Sequence, residues 1–182
     1  NWPEQVGGIA LLSGCSEGCF AGVLSVKKTA AISVCGRFRY SLTRCWSDDG
    51  PTMCFIMLNP SKADAAIDDP TVRRCIRFAR DRGYGGISVV NLFAFRATDP
   101  AELKASGWLV GPDNDVHILR AVFDASEVVC AWGANARGHP RVVQVRNLIS
   151  LWCVPVALGL TDDGVPRHPL YLRADSVLTP LP

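Results

Sequence analysis

The stretch from Phe55 to Asp64, FIMLNPSKAD, decides how this chain is read. Four apolar residues, Phe55 to Leu58, run straight into Asn59-Pro60-Ser61, and the chain then turns polar. A continuous apolar run, without alternation, is the pattern of a strand covered on both faces. Such a strand ending on an amide, a proline and a hydroxyl raises the question of what that end is for.

Working outward, the same pattern recurs. Apolar runs occupy 53–58, 87–90, 128–132 and 154–158, and the segments between them read as helices. In DPTVRRCIRFARDRG, Asp69 is placed as N-cap, Pro70 at the first helical position and Gly83 as the stop. TDPAELKA repeats the device, with Asp99 as cap, Pro100 at N1 and Glu102 three residues after the cap. Further helices are expected over about 114–125 and 141–151. Upstream, KKTAAISVCGRFRYSLTRCW alternates about Cys35-Gly36 and predicts a β-hairpin. Strand-helix alternation implies a three-layer α/β/α fold. Its central sheet should be mostly parallel and four-stranded, with the N-terminal hairpin added.

In an open parallel sheet the C-terminal strand ends lie along one edge, and ligands bind in the crevice there. All four predicted strands deliver polar groups to that edge. They are Asn59 and Ser61, Asn91 and Arg96, Trp132-Gly133 followed by Asn135, and Arg167 with His168. An amide is no base at neutral pH, so Asn59 can only orient a water or bind a polar edge. Asn91 carries a donor and an acceptor suited to a nucleobase edge. His168 is able to steady an anion as a neutral donor, or to act as acid or base. Asp64, Asp68 and Asp69 offer carboxylates, with Asp69 already claimed as a helix cap. Arg73, near the start of its helix, is a candidate for phosphate, while Arg77, Arg80 and Arg82 read as a solvated face. Taken singly, each of these strand ends also fits an ordinary turn. Trp132-Gly133 reads as wall and close packing, and His117 and His139 as bystanders. No Walker-type loop and no Gly-x-Ser-x-Gly elbow occurs.

Composition bounds the rest. The 182 residues include 48% hydrophobic and 20% charged residues, with a net charge of +2. That suits one soluble domain, residues 25–182, and argues against a generally cationic nucleic-acid coat. Residues 1–24 read as a leader or poorly ordered arm. Eight cysteines, several of them inside apolar segments, imply reduced core residues and a cytoplasmic setting. Cys15 and Cys19 lack a matching second pair for a metal. LSGC at 12–15 is similar to a lipoprotein cleavage box, but no positive residue precedes it. No stretch is long and apolar enough to cross a membrane.

The run from Met57 to Pro100, with GPDND, AWGA and GLTDDGVPRHPLYL, resembles the bacterial and phage family catalogued as domain of unknown function 1643, over about residues 29 to 173. The order of strand-end motifs is also similar to the uracil-DNA glycosylase superfamily. Asn59-Pro60, Asn91, Trp132-Gly133 and His168-Pro169 fall in that family's order. The resemblance implies a parallel four-stranded α/β/α core, with Asn59 positioning water, Asn91 reading the base and His168 steadying the departing base anion. Phe93 or Phe95 would stack on the base. The reaction implied is dissociative cleavage of an N-glycosidic bond, which needs no cofactor or metal, on a base in DNA or in a nucleotide. Leu170-Tyr171 stands where the family has Ser-Pro, and Ser61 follows Asn59-Pro60 without the usual aromatic or glycine. Two alternatives remain open at this point: a non-catalytic module binding nucleotides or modified bases, and a metal-dependent nucleotide hydrolase using Asp64, Asp68 and Asp69. All three expect a nucleic acid or nucleotide as partner, and protein partners are left unassigned.

Overall fold

The computed structural model describes residues 26–61 and 66–181. The hairpin forms as predicted, from β1 (Lys27–Ile32) and β2 (Arg39–Cys45). It is followed by β3 (Thr52–Met57), α1 (Pro70–Arg80), β4 (Gly86–Asn91), α2 (Pro100–Ala105) and α3 (Asn114–Phe123). The chain ends with β5 (Glu127–Cys130), α4 (Pro140–Ile149), β6 (Val156–Ala157) and β7 (Thr179–Pro180). The expected four-stranded sheet is corrected here to a single mixed sheet of seven strands, in the order β1-β2-β4-β3-β5-β6-β7. Four parallel strands, β4, β3, β5 and β6, form its centre. The hairpin joins antiparallel through β2 and β4, and β7 joins antiparallel at β6. The hairpin thus extends the sheet instead of standing beside it. β7 went unread because two-residue edge strands carry no periodicity.

The unbroken apolar runs are explained by burial on both faces. In β3, Met53, Phe55 and Met57 pack toward α1 with Val72, Cys75 and Phe78. Cys54, Ile56 and Leu58 face the opposite layer, where Leu103 of α2, Ile118 and Val122 of α3, and Val145 and Ile149 of α4 close the core. Alternate residues therefore serve two cores, so neither face has room for a polar side chain. At about 25 cal/mol per Å², a double-sided strand of this kind contributes more to stability than a half-exposed one.

Helix starts follow the predicted chemistry. The Asp69 carboxylate accepts the Val72 N–H at 2.7 Å, and Asp99 accepts from Ala101 at 2.8 Å. Glu102 does not return to its own cap: its carboxylate takes the Thr98 N–H at 3.2 Å. His139, read as a bystander, caps α4 by accepting the Arg141 N–H at 3.1 Å. His117 stacks flat on Tyr40, with ring centroids 4.9 Å apart.

The strand order places the reversal of winding between β3 and β5. Chain direction runs from β3 out to β4, then crosses back to β5 and on to β6. A crevice at the carboxyl ends of those two strands is the expected ligand position for this winding.

Candidate functional site

A cleft of about 570 Å³ opens at that point. Of the residues singled out from the sequence, Asn59, Ser61, Asp69, Asn91, Trp132, Asn135, Arg167 and His168 line it. Four separate strand ends thus converge on one cavity.

Asn59 shows what the opening stretch is for. Pro60 has no N–H, so the ladder cannot continue past it. The Asn59 side chain takes over: its Nδ2 donates to Ala97 O at 2.8 Å and to Pro60 O at 3.2 Å. Pro60 O also accepts the Ala97 N–H at 3.0 Å, so the strand end is stitched to the segment after β4. With both carbonyls on the nitrogen side, the amide's rotation is set. Its Oδ1 is left as the acceptor at the cleft. The structural bonds thus occupy the nitrogen of this side chain and leave its oxygen free of them.

Asn91 is only 1% exposed, and its Nδ2 has no hydrogen-bond partner among the described residues. A buried donor without a partner costs roughly 1–3 kcal/mol, which makes it the kind of group a ligand satisfies. The backbone beneath it is held firmly. Asn114 Nδ2 donates to Asn91 O at 3.0 Å and to Leu92 O at 3.1 Å, and Arg141 Nε donates to Leu92 O at 2.9 Å. Arg141 is in turn paired with Asp115.

His168 begins a short 3-10 turn, Pro169–Tyr171, and its Nδ1 accepts the Leu170 N–H at 3.4 Å. The neutral ring therefore carries its proton on Nε2, as a donor. Burial lowers its pKa below the ordinary histidine value, and the nearby Asp69 carboxylate pulls it partly back up. Gly133 packs against the His168 backbone and Cβ, and its N–H donates to Pro166 O at 3.0 Å. Gly133 has φ +76 and ψ 176, and a Cβ there would lie 3.2 Å from the His168 Cβ. Trp132-Gly133 is accordingly wall and close packing, with Trp132 only 2% exposed.

Ser61 Oγ donates to the Asp69 carboxylate, whose other oxygen caps α1. Arg167 Nε is turned to Leu160 O at 3.0 Å, inside the tight turn of 159–167. Arg137 and Asp163 form a 2.7 Å ion pair.

The remaining candidates lie elsewhere. Phe93 is fully buried, packed on Trp108 and His139 in the core, so it cannot stack on a ligand in the cleft. Arg73 turns its guanidinium to Asp68 O, on the exposed side of α1. Arg96 and Phe95 line an adjoining groove. Asp64, Cys15, Cys19 and the LSGC box lie outside the described residues. Asp68 bonds Arg44 at 2.7 Å and Lys28 at 2.9 Å, beneath the hairpin. Among the described residues no group of three His, Cys, Asp or Glu side chains is spaced to hold a metal ion. Among the same residues no helix is long and apolar enough to cross a membrane.

Two groups were missed from the sequence. Arg39 is 2% exposed and lines the cleft, though hairpin alternation with Tyr40 and Leu42 inward would place it outward. A register shift between Ala31 and Ile32 opposite Arg39 breaks the alternation and buries both neighbours. Asn114 lies in the quoted GPDND and was read only as the start of a helix.

A family model described as "Protein of unknown function (DUF1643)" matches residues 39–170, well over half the chain. The chain belongs to that family. The matched span begins at Arg39 and ends at Leu170, so it takes in every described cleft residue except Tyr171. No curated protein and no solved structure matches this DUF1643 member.

Proposed function

We propose that this DUF1643 protein hydrolyses an N-glycosidic bond, holding the nucleobase of a nucleic acid or nucleotide in the cleft at the β3/β5 edge. The observation that carries the reading is that Asn59, Asn91 and His168 converge on one cavity. Each has the atom the chemistry requires: an acceptor on Asn59, an unsatisfied donor on Asn91 and an Nε2 donor on His168.

In this reading Asn91 Nδ2 donates to a carbonyl or ring nitrogen of an unstacked base. The C1′–N bond breaks with its electron pair leaving on the base. His168 Nε2–H donates a hydrogen bond to the resulting anion, and a neutral donor does so without itself losing charge balance. Water held by Asn59 Oδ1 adds to the sugar cation. Its released proton passes to solvent or to the departed base, since an amide cannot keep it. Two of the three acids of the metal-dependent alternative have other duties: Asp68 holds Arg44 and Lys28, and Asp69 caps α1 and holds Ser61. That distribution supports glycosidic cleavage over metal-assisted phosphate hydrolysis.

The test is a strand-cleavage assay on labelled single- and double-stranded oligonucleotides carrying uracil, hydroxymethyluracil or a mismatch, developed with hot alkali. Cuts at the marked base that survive chelator and vanish in Asn59→Ala and His168→Ala would establish base excision. Binding without cuts would leave a base-binding module, and chelator-sensitive turnover of nucleotides would replace the glycosylase reading with the metal-dependent one.

A further inference from the structure

A second groove, of about 370 Å³, adjoins the base cleft and is lined by Gly36, Arg37, Ser61, Phe95, Arg96, Ala97, Thr98 and Glu102. Ser61, Ala97 and Thr98 belong to both cavities, so the two share a wall. The groove is built by docking the hairpin turn onto the segment after β4. Phe38 and Phe95 pair as an isolated antiparallel bridge, Arg96 N–H donates to Arg37 O, and Arg39 N–H donates to Ala94 O, each of the latter at 2.9 Å.

That docking sets two guanidinium groups on one groove. The Arg37 guanidinium lies 5.9 Å from the centroids of both Phe38 and Phe95, within cation–π range of each ring. Arg96 donates from one terminal nitrogen to Gly36 O at 3.3 Å, while its Nε is buried without a partner among the described residues. Neither arginine has a carboxylate partner among the described residues. The one acid on the groove, Glu102, is turned to the Thr98 N–H. Two unneutralised forks beside an aromatic face, sharing a wall with a base-sized cleft, match a phosphodiester next to an unstacked base.

The geometry points to this groove as a backbone subsite, binding the phosphodiester that flanks the base in the cleft. The ligand is then a single-stranded or locally opened nucleotide chain, not a free nucleoside. This inference rests on the proposed base cleft for its direction, but its own test does not need catalysis. It also accounts for how a chain of net charge +2 holds a polyanion, since the charge is local.

The experiment is fluorescence anisotropy with two labelled probes: a single-stranded 12-mer oligodeoxynucleotide, and a base-free 12-mer of tetrahydrofuran abasic units. Both are titrated across a salt series with wild type, Arg37→Gln, Arg37→Gln/Arg96→Gln, Asn91→Ala and the charge-matched control Arg77→Gln/Arg80→Gln. The double variant should weaken both probes roughly ten- to a hundredfold. Its salt slope should shrink by about 0.7, one phosphate contact's worth for a single strand. Arg37→Gln, altering an exposed side chain, should give part of that loss with an unchanged melting temperature. Asn91→Ala should leave the base-free probe unaffected. Equal affinities and slopes for wild type and the double variant would overturn the subsite, as would a control pair that weakens binding as much. Loss of the subsite with base excision intact would leave the cleft reading standing. Arginine-dependent binding without excision would do the reverse.

Discussion

At the scale of single residues, the cleft separates structural from functional demands atom by atom. Asn91 illustrates this most sharply, because its buried Nδ2 has no partner among the described residues. Removing that amide loses a little packing and relieves an unsatisfied donor. Asn91→Ala should therefore change unfolding free energy by no more than about 1 kcal/mol. Under the proposed reaction the same variant should lose roughly a hundredfold or more in base excision, and comparing urea melts with turnover checks both halves. His168 yields a second prediction. Burial lowers its pKa from the ordinary 6.5, and Asp69 opposes the shift. Asp69→Asn keeps an effective N-cap but removes the charge, so the His168 midpoint should fall further, read from ring proton NMR shifts across pH. The sign for stability follows. With the folded pKa below the unfolded value, the unfolded chain binds more protons, so this contribution is complete above pH 6.5 and declines as pH drops through that window. Asn59 and His168 were legible as candidates from the sequence because they stand beside prolines at strand ends. Which of their atoms remain available was not, since that depends on Ala97 and Leu170.

At the scale of elements, the ends of β3 and β5 are held by different devices. β3 stops at a proline and is stitched to Ala97 by a side-chain amide, whereas β5 leads into a glycine in a region of φ/ψ space that almost no other residue enters. Gly133→Ala should destabilise by about 1–3 kcal/mol from backbone strain. It should also push His168 away, because the new Cβ meets the His168 Cβ at 3.2 Å. Excision should then fall by more than the stability loss explains, measured as turnover under conditions where both proteins are fully folded. Capping chemistry was readable in advance: Asp69 and Asp99 precede prolines at the first helical position, and both accept the expected N–H. The capping role of His139 went unread because it depends on a ring packed against Phe93 and Trp108, which lie far away in sequence. Phe93 itself was misplaced for the same kind of reason. Residues following a strand alternate between cleft and core according to how the backbone turns there, and that turn is set by Asn114 and Arg141.

At the scale of the whole molecule, one buried ion pair ties the hairpin to the parallel core. Arg44 of β2 is fully buried, and Asp68, just before α1, bonds it as well as Lys28 of β1. Removing the carboxylate strips a buried guanidinium of its counter-charge, so Asp68→Ala should cost about 3 kcal/mol in urea unfolding. Hydrogen exchange should show the hairpin losing protection first. Burial pushes the Asp68 pKa up, but hydrogen bonds from Lys28 and Arg44 outweigh it and leave the carboxyl below its ordinary 3.8. Its contribution is therefore complete above that value and lost as pH falls below it. The wild-type acid limb should be steeper there than that of Asp68→Ala. Because the hairpin carries Arg37 and Arg39 to the cavities, this pair also bears on the site, although it lies beneath it. By itself the sequence determined the alternation of strands and helices, the caps, and the four polar strand ends on one edge. These follow from local periodicity and from proline, glycine and aspartate chemistry within a few residues. Only the tertiary structure decided that the hairpin pairs with β4, that a seventh strand closes the other edge, and that Arg39 turns inward. It alone also decided that Arg37 and Arg96 share one groove. Each of these depends on pairing between segments distant in the chain, and such pairing leaves no mark in the pattern of either segment alone.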